Sequence, residues 1–259
     1  MTYDSVSQFE GLFSREVKRI YRNPLVILIT IVQPFLWLAF FGSSFANAPK
    51  SFLFSYFGTT NYIAFLLPGV LSTSMLTIGM FGSMSSIQDK RFGYMKRILI
   101  TPTRRSVVFL SKVFGATVRG LIQIPVMIGA AVLFGVHFSF GLDWVGWMLA
   151  LFLLGLGFSS MFLGLTVSSV DWQTPGVISN FITMPLMFAS TALFPKAGFP
   201  SWMKAISDIN PVTFSATLGR SIALGGTDPN WMYLGYLGIF AFLMLALGTF
   251  AASRWLKVE

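Results

Sequence analysis

Chemistry on a protein needs groups that give, take or hold charge, and this sequence is short of them. It has nine acidic residues, one histidine and no cysteine among 259 positions. His137 alone cannot build a metal site, and without cysteine there is neither a thiolate ligand nor a disulfide framework. A serine–histidine hydrolase would have to use His137, which falls in an outer loop beside Phe138. Asp143 and Asp171 fall at the ends of apolar runs. The carboxylate pair of an intramembrane protease is therefore missing. So is the buried acid with which an ion-coupled carrier holds its proton or cation. No Gly-x-x-x-x-Gly-Lys-Ser/Thr loop is present, so the chain has no phosphate cradle of its own.

What remains is a basic stretch. Six of the eighteen Lys and Arg residues lie between Lys90 and Arg105: Lys90, Arg91, Lys96, Arg97, Arg104 and Arg105. Charge alone would keep a loop out of the bilayer. Here Phe92, Tyr94 and Met95 stand among the charges, and that mixture makes a docking knob for a soluble partner. Its chemistry is recognition rather than catalysis.

The elements around this stretch are apolar. The chain is 54% hydrophobic and 10% charged, where a soluble domain carries about 25% charged residues. The apolar runs are continuous rather than alternating, which predicts helices and not barrel strands. The expected fold is an all-α polytopic membrane protein, a single domain over 1–259. A crossing needs roughly 20 apolar residues, and six segments qualify: about 25–45, 61–86, 107–135, 144–169, 174–194 and 231–253. The run at 25–45 is longer than a signal-peptide core and no small-residue cleavage site follows it, so it reads as a retained span. The aromatic stretch 51–60 is too short to cross and suits the interface.

With the N-terminus in the cytoplasm, thirteen basic residues face inward and four, Lys50, Lys196, Lys204 and Arg220, face outward. The positive-inside rule then places both termini in the cytoplasm. It also accounts for the formal charge of +9 without nucleic acid. Arg119 is the one charge inside a span. Either the third span starts later and Arg119 snorkels to the headgroups, or it makes a polar contact within the bundle.

Residues 8–22 form an amphipathic helix within a 1–23 interface segment. Phe9, Leu12, Phe13, Val17, Ile20 and Tyr21 follow helical spacing, with Arg15, Lys18, Arg19 and Arg22 on the polar side. Two readings fit it: a surface anchor lying among anionic headgroups, or a protein-docking helix. Asn23 as cap and Pro24 at the first helical position restart the chain as a span. Between spans two and three, Ser86 with Asp89 matches a capping box. A helix is expected from there to Thr101-Pro102 within the 87–105 segment, with Phe92, Met95 and Leu99 on one side. In the 195–230 region, Ser201 can cap a short helix carrying Trp202, Ala205, Ile206 and Ile209. Asn210-Pro211 ends it, and a second short helix at about 212–224 stops at Gly225-Gly226. Both are too apolar for a solvated loop and dip into the outer leaflet. On the fifth span, Phe181, Met184, Met187 and Phe188 could form an adaptable wall for an amphipathic cargo, or simply pack against neighbouring helices.

The order of these features resembles the permease subunits of ABC type-2 exporters. The residues that carry the resemblance are Arg91-Phe92-Gly93-Tyr94-Met95-Lys96-Arg97-Ile98-Leu99-Ile100-Thr101-Pro102 and Ser111-Lys112. Further on come Leu193-Phe194-Pro195, Pro200-Ser201-Trp202, Asn210-Pro211-Val212-Thr213 and Arg220. Tyr94 stands where that family has an acidic residue. The resemblance implies a prokaryotic plasma-membrane permease that pairs with a second six-span copy, in the simplest case as a homodimer. It implies two cytoplasmic ATPase subunits that bind the ATP and Mg, with no cofactor on this chain. Arg91 to Arg97 and the N-terminal helix (Phe9, Phe13, Arg15, Val17, Lys18 and Arg19) would then sit in clefts on the ATPases. Cargo would move outward between the permeases. The outer-loop pattern is similar to drug and nodulation-factor exporters, with O-antigen and other polysaccharide permeases as the alternative and an ion-coupled carrier as the remote one.

Overall fold

The computed structural model describes residues 5–255 apart from 102, 139, 170, 172 and 225–227. Among them there is no strand. The helices are α1 (Ser5–Arg22), α2 (Pro24–Ser44), α3 (Lys50–Phe57), α4 (Tyr62–Arg91), α5 (Tyr94–Ile100), α6 (Arg105–Leu133), α7 (Asp143–Leu165), α8 (Gln173–Phe188), α9 (Ser201–Ile209), α10 (Pro211–Leu224) and α11 (Met232–Trp255). The all-α expectation holds.

α4 is the centre of the bundle. It packs on α2, α6, α7, α8 and α10, while α7 lies between α4 and α11, and α1 rests on α6 and α2. The apolar core follows this arrangement. Leu66, Leu67, Leu71, Met75 and Leu76 of α4 meet Trp147, Leu151, Leu154 and Phe158 of α7 in one large cluster. A second, smaller cluster at the α5 end joins Met95 and Ile98 to Val108, Phe109 and Val113 of α6. Lipid tails offer no hydrophobic drive to associate, so helices in membranes rely on close backbone approach at small residues. Gly79 of α4 does this against the Phe158 backbone, where a Cβ would lie 2.8 Å from the Phe158 carbonyl carbon.

Five stretches are long and apolar enough to cross a membrane: those of α2, α4 together with α3, α6, α7 and α11. The crossing expected at 174–194 is a 16-residue helix that ends at Phe188. Its end has a physical cause. Asn210 Nδ2 donates to the Leu186 carbonyl at 2.7 Å, and the Arg220 guanidinium donates to the carbonyls of Thr191 and Ala192. Side chains of α10 and its cap thus satisfy acceptors that a longer α8 would have satisfied itself. The segment 189–193 leaves the helix fully buried.

The 195–230 region does contain short helices. α9 presents Trp202, Ile206 and Ile209 outward. Pro200, not Ser201, occupies its cap, with no side-chain hydrogen bond. α10 is held by protein: Ser72 and Ser215 hydroxyls are 2.9 Å apart, and Asn210 Oδ1 accepts from Val212 N at 3.0 Å. The expected stop at Gly225-Gly226 lies outside the described residues, as does Pro102. α3 is an aromatic turn at 50–57, with Phe57 packed on Phe65 and Tyr62.

The Gly69→Ala variant tests the α4 contact with the 189–193 segment. An added Cβ would overlap the Ala192 carbonyl, which is backbone and cannot swing away. The variant should lose about 1–3 kcal/mol in a thermal melt in detergent. Gly129→Ala, with open space around it, should be neutral or slightly stabilising.

Candidate functional site: the basic end of the bundle

Three helices converge on one carboxylate. Asp89, near the end of α4, accepts from Lys112 of α6. It also accepts from Arg19 Nη1 at 3.2 Å and Arg15 Nη2 at 3.4 Å, both of α1. Glu16 adds a second acid, 3.4 Å from Lys112 and 3.1 Å from Arg15. Arg19 also reaches Ser85 and Gln88 of α4. Glu16, Asp89 and Lys112 are all buried. Buried charges are tolerated only when paired and hydrogen-bonded, and here each has a charged partner.

This network corrects two expectations. Ser86 and Asp89 do not cap a new helix, because α4 runs unbroken to Arg91. Asp89 is committed to Lys112, 23 residues away in sequence, and a local cap cannot compete with that pair. Nor does α1 spend its polar side on headgroups alone. Arg15 and Arg19 turn inward, Phe9 meets Phe114 of α6 edge-on at 5.7 Å, and Lys18 and Arg22 stay exposed. Val17 is half-buried, and Phe9 stacks on Phe13. Pro24 does open α2, but Asn23 makes no side-chain cap bond.

The break comes at Phe92-Gly93. Gly93 has φ +69°, a left-handed conformation that other residues adopt at a cost, and α5 starts after it. Phe92 is left 84% exposed, while Met95 is 4% exposed and packs with Ile98 against α6. Phe92 and Met95 therefore do not share a side, as had been expected of a single helix. Arg91, Arg97 and Ile100 are exposed with Phe92, and Tyr94 lies under the Arg15 guanidinium at 3.5 Å. The side chains of Lys96 and Leu99 lie outside the described set. Other charges of the basic stretch hold helix ends: Lys90 donates to the carbonyls of Val167 and Ser169, and Arg105 donates to the Ser253 carbonyl at 3.1 Å. Cations at the C-terminal ends of helices oppose the dipole there. The exposed remainder, Arg91, Phe92, Arg97 and Ile100, is a compact knob mounted on α4 and braced by α1.

The wall expected on α8 divides. Met184 and Met187 line an open cavity of about 270 Å³ between α2, α4, α6 and α8, with Met184 itself still exposed, whereas Phe181 and Phe188 are exposed outside it. Thr30, Gln33, Thr73, Gln123, Asn180 and Thr183 contribute polar groups to the same cavity. Both Gln123 amide atoms and the Thr183 hydroxyl are buried without a partner. No carboxylate lines it among the described residues. Sequence reasoning missed this set, because its members are scattered over four helices and lie within mainly apolar runs. One signal was present: Lys112, Arg119 and Gln123, spaced seven and four apart, share a face of α6. Arg220 was also missed. It had been counted as an outward-facing charge of a short helix, yet it stacks on Phe65 at 3.6 Å and donates to three backbone carbonyls, of Phe65, Thr191 and Ala192. His137 is exposed in the α6–α7 connection.

The Asp89→Asn variant leaves Lys112 buried with only Glu16 as a charged acceptor. It should cost about 3–5 kcal/mol, read as a lowered melting temperature in detergent. Arg91→Gln, on the exposed side of the same segment, should shift stability by less than about 0.5 kcal/mol.

The chain is 28% identical to ycf38 of Porphyra purpurea over 232 residues, covering 89% of this chain and 78% of the relative. It is 25% identical to a daunorubicin resistance ABC transporter permease of Streptomyces coeruleorubidus over 230 residues, covering 86% and 77%. It is 25% identical to nodulation protein J of Rhizobium leguminosarum over 201 residues, covering 75% of each. The family model for the ABC-2 type transporter matches residues 7–224, from α1 through α10, and the chain belongs to that family of membrane permeases.

Proposed function

We infer that this chain is the membrane-embedded part of an ATP-driven exporter that moves an amphipathic or lipid-like molecule outward. The observation that carries this reading is the exposed knob of Arg91, Phe92, Arg97 and Ile100 at the basic end of the bundle. ABC-2 permeases work with an ATPase partner. On this reading two copies of that partner bind the ATP and Mg and take hold of the knob and α1 from the cytoplasm. Both termini face the cytoplasm of a prokaryotic cell, and the sixth crossing is completed by α8 with its buried 189–193 extension.

The cargo route is supported by the cavity beside α8. Its walls offer thioethers and uncharged hydrogen-bonding groups. That combination suits a molecule with an apolar body and polar substituents. A drug, a lipid and a lipid-linked glycan all fit this description, and the Streptomyces relative is named for daunorubicin resistance. The absence of an acid among the described lining residues argues against proton or cation coupling. A second copy of the chain would cover part of the outward apolar surface. The span of α2 is only 22% buried and that of α11 only 17%, against 78% for α4.

Charge reversal at Arg91 and Arg97 together should abolish export, and stimulation of the partner's ATPase, in reconstituted vesicles. Membrane insertion and the detergent melt should be unchanged, because both side chains are exposed. Unchanged export would reduce the knob to a topology signal and remove the main support for this reading.

A further inference from the structure

A second cavity, of about 320 Å³, lies where α1, α2, α4 and α6 meet. Its polar wall consists of Arg19, Asn23, Ser85, Gln88 and Arg119, and no acid lines it among the described residues. The other wall is apolar, built from Ile27, Phe81 and Met84. Arg119 lies well inside α6, which begins at Arg105. It lies about 21 Å along the helix, and two turns beyond Lys112 on the same face. Lys112 has its acids. Arg119 has none: no carboxylate among the described residues is within ion-pairing distance, and its Nε is buried without a hydrogen-bond partner. Arg19 shares its charge with Asp89, Ser85 and Gln88 and adds to the positive field of the cavity.

A guanidinium held in a low-dielectric site demands an anion. The protein withholds one, since Glu16 and Asp89 are already engaged by Arg15, Arg19 and Lys112. Guanidinium forks match the oxygens of a phosphate. Basic pockets between membrane helices on the cytoplasmic side suit anionic headgroups. The apolar wall of the cavity, Ile27, Phe81 and Met84, fits the part of such a molecule where the acyl chains begin.

We propose that this cavity binds the phosphate of an anionic phospholipid, with Arg119 and Arg19 as the anion-holding pair. The lipid closes the charge balance at the junction of α1 with α4 and α6, and so makes the position of α1 depend on membrane composition. The inference rests on neither the ATPase partner nor the cargo, so its failure would leave the exporter reading intact.

Native mass spectrometry of the purified full chain in neutral detergent tests it, with three probes: phosphatidylglycerol, phosphatidylcholine and inorganic phosphate. Phosphatidylglycerol should bind, and Arg119→Gln should weaken it roughly ten-fold or more, the loss of a charge-assisted hydrogen bond. Arg119→Lys should retain most of the binding and serves as the variant whose fold is least disturbed. Arg22→Gln removes an exposed charge of α1 outside the cavity and should change nothing. The proposal is overturned if Arg119→Gln binds as the parent does, if Arg119→Lys loses as much binding as Arg119→Gln, or if Arg22→Gln weakens binding as much as Arg119→Gln. It is equally overturned if phosphatidylcholine binds as tightly as phosphatidylglycerol. Displacement of phosphatidylglycerol by equimolar inorganic phosphate would assign the site to a free anion and overturn the lipid as its occupant.

Discussion

The contact between Asp89 and Lys112 is the one on which the basic end of the molecule depends. A lysine two turns into α6 is admissible only because a carboxylate from α4 meets it, and that carboxylate is stabilised in turn by Arg15 and Arg19 of α1. Remove Asp89 or Lys112 and the other is left as a buried charge short of its main partner. α1 is therefore not an ornament on the membrane surface but a component of the charge balance between α4 and α6. The same logic sets the position of the knob, because α4 ends two residues after Asp89 and the chain turns at Gly93.

The opposite end answers a different problem with similar means. There the question is how a chain can leave the helical state while still buried. In α8 the helix ends at Phe188, and the buried carbonyls near its end need donors. Arg220 and Asn210 supply them. One charged side chain at each end of the bundle thus permits an irregularity that an all-apolar core would forbid: a lysine inside α6 at one end, an interrupted helix at the other.

The sequence displayed the helical spans, the amphipathic α1 and the exposed character of Arg91 and Phe92, because these follow from local composition and periodicity. Most of its failures share one cause, a partner on another helix; the break at Gly93 is the local exception. Ser86 and Asp89 look like a cap until Lys112 arrives from another helix. Phe92 and Met95 have the spacing of one helical face, yet Gly93 breaks the helix between them. Gln33, Gln123 and Asn180 lie on three different helices and meet only in space. Arg220 was counted with the outward-facing charges because nothing near it in sequence reveals that α10 is buried on α4. Wherever the deciding partner lay on a distant helix, local pattern pointed to the wrong state.

α4 touches both ends. From Phe65, whose carbonyl accepts from Arg220, to Phe92 in the knob, the chain covers about 40 Å of one continuous helix. A hydrogen-bonded helix of that length is a stiff shaft, so a push at Phe92 is not absorbed along the way. The one soft joint is Pro68, which lacks an amide hydrogen and removes a rung from the ladder. It lies beside Gly69 and one turn from the Arg220 contact, which makes the molecule a lever whose flexure is concentrated at its far end.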